Sequence, residues 1–127
     1  MAALVRFEDL KVWRRARDLA GRIYTMTASP PLTRDFGLKD QLRRAAVSVM
    51  SNIAEGFESN SNRSFFRYLR IAKSSLAELR SQLYVAADTG MISGATHYQI
   101  LTRVEELSRM LGGLIKALDR GLKRTTP

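Results

Sequence analysis

"FFRYLRIAKSSLAELRSQLYVAA", residues 65 to 87, decides how the rest of the chain is read. Phe65, Leu69, Ala72, Leu76, Leu79, Leu83 and Ala86 recur at alternating steps of four and three. That spacing keeps one apolar stripe on one side of an α-helix, whereas a strand would need period two. Ser61, just upstream, is a suitable N-cap. Working outward, turn-rich "GFESNSN" (56 to 62) closes the segment on one side and "TGMISGAT" (89 to 96) on the other. "SPPLT" (29 to 33) supplies a third break. Between the breaks lie three more helical stripes. The first carries Leu10, Trp13, Ala16, Ala20, Ile23 and Tyr24, and the second Leu38, Leu42, Ala45, Val49 and Ile53. The last has Ile100, Val104, Leu107, Leu111, Leu114 and Leu118. Asp35 suits the first turn of the second helix. The expectation is a single all-α domain over residues 1–127, an antiparallel up-down four-helix bundle with helices near 9–28, 35–57, 62–88 and 95–122. "KRTTP" (123 to 127) reads as a loose tail.

The chain has 127 residues, enough for a core, and 45% hydrophobic content argues against disorder. It has no cysteine, which removes disulfides, thiolate zinc sites and cysteine nucleophiles. Arg6, Glu8 and Asp9 interrupt the N-terminus before a signal peptide can form, and no apolar run reaches the roughly 20 residues of a membrane span. A soluble cytoplasmic protein that does not enter membranes is expected. Net charge is +9, which makes nucleic acid the default partner and solubility the plain alternative.

Within the second segment, "SVMSNIAEGF" (48 to 57) places serine and asparagine where a helix gains little from them. At about 100° per residue, Gln41, Arg44, Ser48, Asn52 and Glu55 share one narrow wedge. The third segment answers with Ser75, Glu78 and Gln82 on one flank of its own core. If the two helices run antiparallel, Gln41 and Arg44 lie level with Ser75 and Glu78. An interhelical polar network with an Arg44–Glu78 pair would then fix register; an ordinary solvated face is the alternative. Val47, Met50, Ala54 and Phe57 form a second apolar row, which suggests an oligomer interface.

"DFGLKDQLRRAAVSVMSNIAEG" (35 to 56) followed by "FFRYLRIAKSSLAELRSQL" (65 to 83) resembles the four-helix-bundle family encoded in intervening sequences of bacterial 23S ribosomal RNA genes. "FEDLKVWRRARDLAGRIYTMT" (7 to 27) is similar to the first helix of that family. Gln41, Arg44, Ser48, Asn52, Glu55, Gly56, Ser75, Glu78 and Gln82 occupy its motif positions, with Ser74 standing where glycine is usual. The resemblance implies a homopentamer. It also implies a distant likeness to the accessory variability determinant of diversity-generating retroelements, a basic pentamer that works with a reverse transcriptase and RNA.

Arg63, Arg67 and Arg70 step down the third segment opposite its leucine stripe, with Lys73 and Arg80 on a flank. The first segment offers a competing patch of Arg14, Arg15 and Arg22. Arginine rows favour phosphate recognition, and Phe66 and Tyr68 lie near them and could stack on bases, although packing in the core or an interface is the favoured reading of these two rings. No base-reading motif is present, so binding to RNA or single-stranded DNA would be directed at the backbone. Catalytic chemistry is not expected. His97 is the only histidine and reads as a surface residue, and position 94 is Gly, so the Glu-x-x-His pattern of di-iron bundles fails. Gly112 and Gly113 read as a close approach or a bend. No cofactor or metal is expected. Two readings remain: an RNA-binding accessory oligomer, and a structural or protein-interaction homo-oligomer without nucleic-acid binding.

Overall fold

Two side-chain caps set where the central helices begin. Asp35 accepts the Leu38 amide at 3.0 Å, and Ser61 accepts the Ser64 amide at 3.1 Å. Each satisfies one of the orphan donors of a first helical turn. In the computed structural model, which describes residues 4–125, these caps open α2 (Phe36–Glu58) and α3 (Asn62–Asp88). A 3₁₀ turn at Phe7–Asp9 precedes α1 (Lys11–Thr27), and another at Leu32–Arg34 leads into α2. The last helix, α4, runs Gly94–Thr125, so Lys123 and Arg124 of the expected loose tail lie inside its last turn, while 126 and 127 fall outside the described residues. Among the described residues there are four α-helices and no strand.

The connections have local causes. Between α2 and α3, Asn60 adopts φ 61°, a left-handed conformation that asparagine tolerates better than most residues. After α3, Gly90 takes φ 75°, and its amide bonds the Ala87 carbonyl while the Met91 amide bonds that of Ala86. This double closure is a Schellman motif, and it aims Met91 and Ile92 back toward the bundle. Ser93 then caps α4 by accepting the Thr96 amide at 3.1 Å.

One core joins all four helices. Leu19, Ile23, Leu42, Val49, Ile53, Leu69, Leu76, Leu79, Leu83, Leu107 and Leu111 are at most 2% exposed. Burying each such side chain contributes about 1.5–3 kcal/mol. The stripe of α3 from Leu69 to Ala86 is buried throughout, and Phe65 packs against it half-buried. Tyr24 departs from the expected core stripe. It is 44% exposed, because its ring lies at the flank of α1 beneath the Arg43 guanidinium, 4.3 Å from the ring centre. Leu114 and Leu118 are also only half-buried. The pairs Arg15–Glu106 and Asp18–Arg103 hold α1 against the first half of α4, and α4 continues well past them.

Helices α2 and α3 make the tightest seam. Gln41 meets Gln82, Ser48 meets Ser75, and Gly56 meets Phe65 and Tyr68, so residue numbers rise on one helix as they fall on the other. A Cβ on Gly56 would lie 2.8 Å from Tyr68 Cβ and 3.0 Å from Phe65 Cδ1. Only glycine permits that approach.

Candidate functional site

The polar wedge of α2 and the polar flank of α3 share one shallow depression lined by Gln41, Arg44, Ser48, Ser75, Glu78 and Gln82. At its centre the hydroxyls of Ser48 and Ser75 lie 2.8 Å apart, with Ser75 buried. Asn52 Nδ2 donates to the Ser48 carbonyl at 2.8 Å and to Ser48 Oγ at 3.0 Å. Asparagine and serine therefore satisfy each other within the seam. One turn or more away, Gln82 Nε2 donates to Gln41 Oε1 at 3.3 Å. Ser74, beside the buried Ser75, is exposed.

The charged members behave differently. Arg44 Nε bonds Asp40 at 2.8 Å on its own helix, with the two side chains 80% and 61% exposed. The expected Arg44–Glu78 pair is not formed, although both residues line the same depression. Asp40 lies one turn back on α2 and needs no reach between helices, which is why it takes the guanidinium. Glu55 and Glu78 are exposed at the edges. The seam is thus hydroxyl and amide chemistry at its centre, with solvated charge around it.

The second apolar row of α2 divides. Met50, Ala54 and Phe57 pack partly against the chain's own core, and Phe57 meets Phe65 edge to face at 6.0 Å. Val47 remains 37% exposed. On α3, Ile71 and Val85 are about half exposed, at 49% and 52%.

The two arginine groups also separate. In α1, Arg15 is ion-paired with Glu106 and Arg22 with Asp18, the latter at 2.9 Å. Arg14 donates to the carbonyls of Glu8 and Asp9, both at 3.1 Å. In α3, by contrast, Arg63, Arg67 and Arg70 are exposed and have no carboxylate partner among the described residues. Arg70 lies over the Phe66 ring at 5.7 Å. Lys73 reaches across to α4, where its ammonium sits 3.2 Å from the place a Cβ of Gly112 would take. Gly112 therefore makes room for a lysine, whereas Gly113 faces open space. Arg80 approaches Glu105 at 3.7 Å.

A groove lined by Arg63, Phe66, Arg67, Asp119, Leu122 and Lys123 lies at the end of the bundle where α3 starts and α4 finishes, with Lys123 paired to Asp119 at 3.2 Å. Lys123, one of its cations, is not distinguished by the sequence pattern; the only signal was its basic neighbourhood at the C-terminus. His97 is half-buried rather than a surface residue, with its ring 4.9 Å from Tyr84 and its Nε2 buried without a hydrogen-bond partner among the described residues. No helix among the described residues is long and apolar enough to cross a membrane.

The chain matches the 23S rRNA-intervening sequence protein family over residues 8–113. Among solved structures it is similar to a protein from Bacteroides thetaiotaomicron VPI-5482, described as of unknown function and from the S23 ribosomal protein family. The TM-score is 0.76 at 24% identity, covering 83% of this chain and 98% of that one. At that identity the likeness speaks to the fold alone. No curated protein matches.

Proposed function

The chain belongs to the 23S rRNA-intervening sequence protein family, and from that premise we propose that it is a basic, non-catalytic homo-oligomer that binds RNA through the phosphate backbone. In this reading the subunit is an antiparallel up-down bundle, five copies assemble, and the complex works in the cytoplasm without a cofactor. Single-stranded DNA would be bound by the same chemistry, and a reverse transcriptase is a candidate protein partner.

One observation carries the proposal: Arg63, Arg67 and Arg70 stand exposed along α3 with no carboxylate partner among the described residues. An unpaired guanidinium exchanges only water and counterions when it meets a phosphate, whereas a paired one must first give up its partner. That distinction favours α3 over the α1 group of Arg14, Arg15 and Arg22. Phe66, under Arg70, offers a ring face beside the phosphate row.

Fluorescence anisotropy with a labelled oligouridylate, titrated at several salt concentrations, tests this. Each phosphate neutralised on a single strand contributes about −0.7 to the slope of log affinity against log salt. Replacing Arg63, Arg67 and Arg70 together by glutamine should flatten the slope by up to about 2. The same change at Arg14, Arg15 and Arg22 should flatten it far less. Absence of binding at about 50 mM salt would sink the proposal.

A structural homo-oligomer without nucleic-acid binding is the second reading, favoured by the exposed Val47, Ile71 and Val85. It predicts a scattering mass that is a multiple of 14.3 kDa together with no affinity for RNA.

A further inference from the structure

Where α1 passes the connection between α3 and α4, the bundle leaves an open groove of about 940 Å³. One wall is a single stripe of α1 running through Arg14, Arg17, Gly21 and Thr25. The other is built by Met91 and Ile92, delivered there by the turn that ends α3, and by Ile100 of α4. Met26 adds to the apolar lining, and no aromatic residue contributes to it.

Gly21 is the unexplained residue. A glycine inside a helix weakens it relative to alanine. Here a Cβ would meet nothing within 4 Å, so neither a turn nor a neighbouring side chain of this chain requires its absence. A bare stretch of backbone in the middle of a groove allows another backbone to come close. We propose that this groove docks an amphipathic helix of a partner protein, one whose apolar face is flanked by acidic residues.

Length and charge agree. Arg14 to Thr25 spans about 16 Å along the α1 axis, or three turns, which matches the apolar face of a short docked helix. Arg14, Arg17 and Arg22 border the groove and Asp18 is the one acidic residue there. Asp18 is already held by Arg22 at 2.9 Å and Arg103 at 3.2 Å, so the border stays positive. Such a border favours an occupant that presents carboxylates over one that presents further arginines and lysines. A nucleic-acid strand finds phosphate partners but no ring on which to stack its bases. An acidic amphipathic helix satisfies border and floor together.

The probe is a labelled designed peptide of about four turns, with leucine on one face and glutamate beside it, and a second peptide carrying lysine in place of glutamate. The full chain should bind the glutamate peptide with a Kd below about 100 µM and the lysine peptide not at all. Gly21→Leu fills open space without altering charge, so it should keep the helical circular dichroism and weaken binding at least about ten-fold. Arg14→Glu combined with Arg17→Glu should weaken it as well. Methyl resonances of Met26, Met91, Ile92 and Ile100 should shift on titration. No binding to the wild-type chain, equal binding to Gly21→Leu, or shifts confined to other methyl groups would each overturn the proposal. So would displacement of the peptide by oligouridylate with shifts of the same methyl groups, which would give the groove to nucleic acid. A change of assembly state in Gly21→Leu would give it to a second copy and overturn the proposal too.

Discussion

Gly21 and Gly56 both interrupt helices, and a methyl group should affect them in opposite directions. At Gly56 the added Cβ lands 2.8 Å from Tyr68 Cβ and 3.0 Å from the Phe65 ring. Neither atom is the free end of a flexible chain, so α2 and α3 must part. Gly56→Ala should cost roughly 1–3 kcal/mol. Gly21→Ala meets nothing and removes a weak helix former, so it should stabilise by about 0.5–1 kcal/mol. Urea denaturation of the two variants reads both signs in one experiment. The sequence shows each glycine only as a lapse in helix propensity. What separates them is the neighbour across the α2–α3 turn, which no helical wheel contains. The two polar stripes were legible but not all their pairings: Gln41 and Arg44 were expected level with Ser75 and Glu78, whereas Gln41 meets Gln82 and Ser75 meets Ser48. That Ser75 is the buried member is set by its position beside Leu76, on the edge of the α3 core.

At the scale of the element, the period of α3 places its core side chains without help from the rest of the chain. Phase alone failed where two partners competed. It put Arg44 and Glu78 on facing flanks but did not choose between Glu78 and Asp40. With Arg44 and Asp40 80% and 61% exposed, a double-mutant cycle on Arg44 and Glu78 should return a coupling under about 0.5 kcal/mol. The short turn before α1 has its own electrostatic lock. Asp9 accepts the amides of Val5 and Arg6, and these hydrogen bonds hold its carboxyl below the usual carboxylate range. A depressed folded-state pKa contributes stability that is present above the ordinary carboxylate value and lost as pH falls through the folded one. Acidification should therefore release the Phe7–Asp9 turn while α1 to α4 persist. Amide chemical shifts of Val5 and Arg6 followed through the acid range would show it, and pH-independent shifts would exclude it. The groove beside α1 was not legible at this scale either, since its second wall depends on the left-handed Gly90 and the returning chain of Met91 and Ile92.

For the whole molecule, net charge was plain from the sequence, but which arginines remain unpaired was not. Arg15 finds Glu106 from a position 91 residues away in the chain, and only the packed bundle brings them together. Assembly of the subunit has a kinetic side as well. The α2–α3 seam is joined by a connection of only three residues, Ser59 to Ser61, and it runs from Gly56 near the turn to Gln41 and Gln82 at the far end. Such a hairpin closes with little loop entropy, whereas α1 and α4 meet only after most of the chain has been gathered. The hairpin should form first and template the outer helices. Val49→Ala and Leu76→Ala are expected to slow refolding, with φ-values of about 0.5 or above, while Leu19→Ala and Leu111→Ala should chiefly speed unfolding, with φ below about 0.3. Stopped-flow chevrons for the four variants would decide it. The reverse pattern would mean that the helix pair closest in sequence is not the one that nucleates the fold.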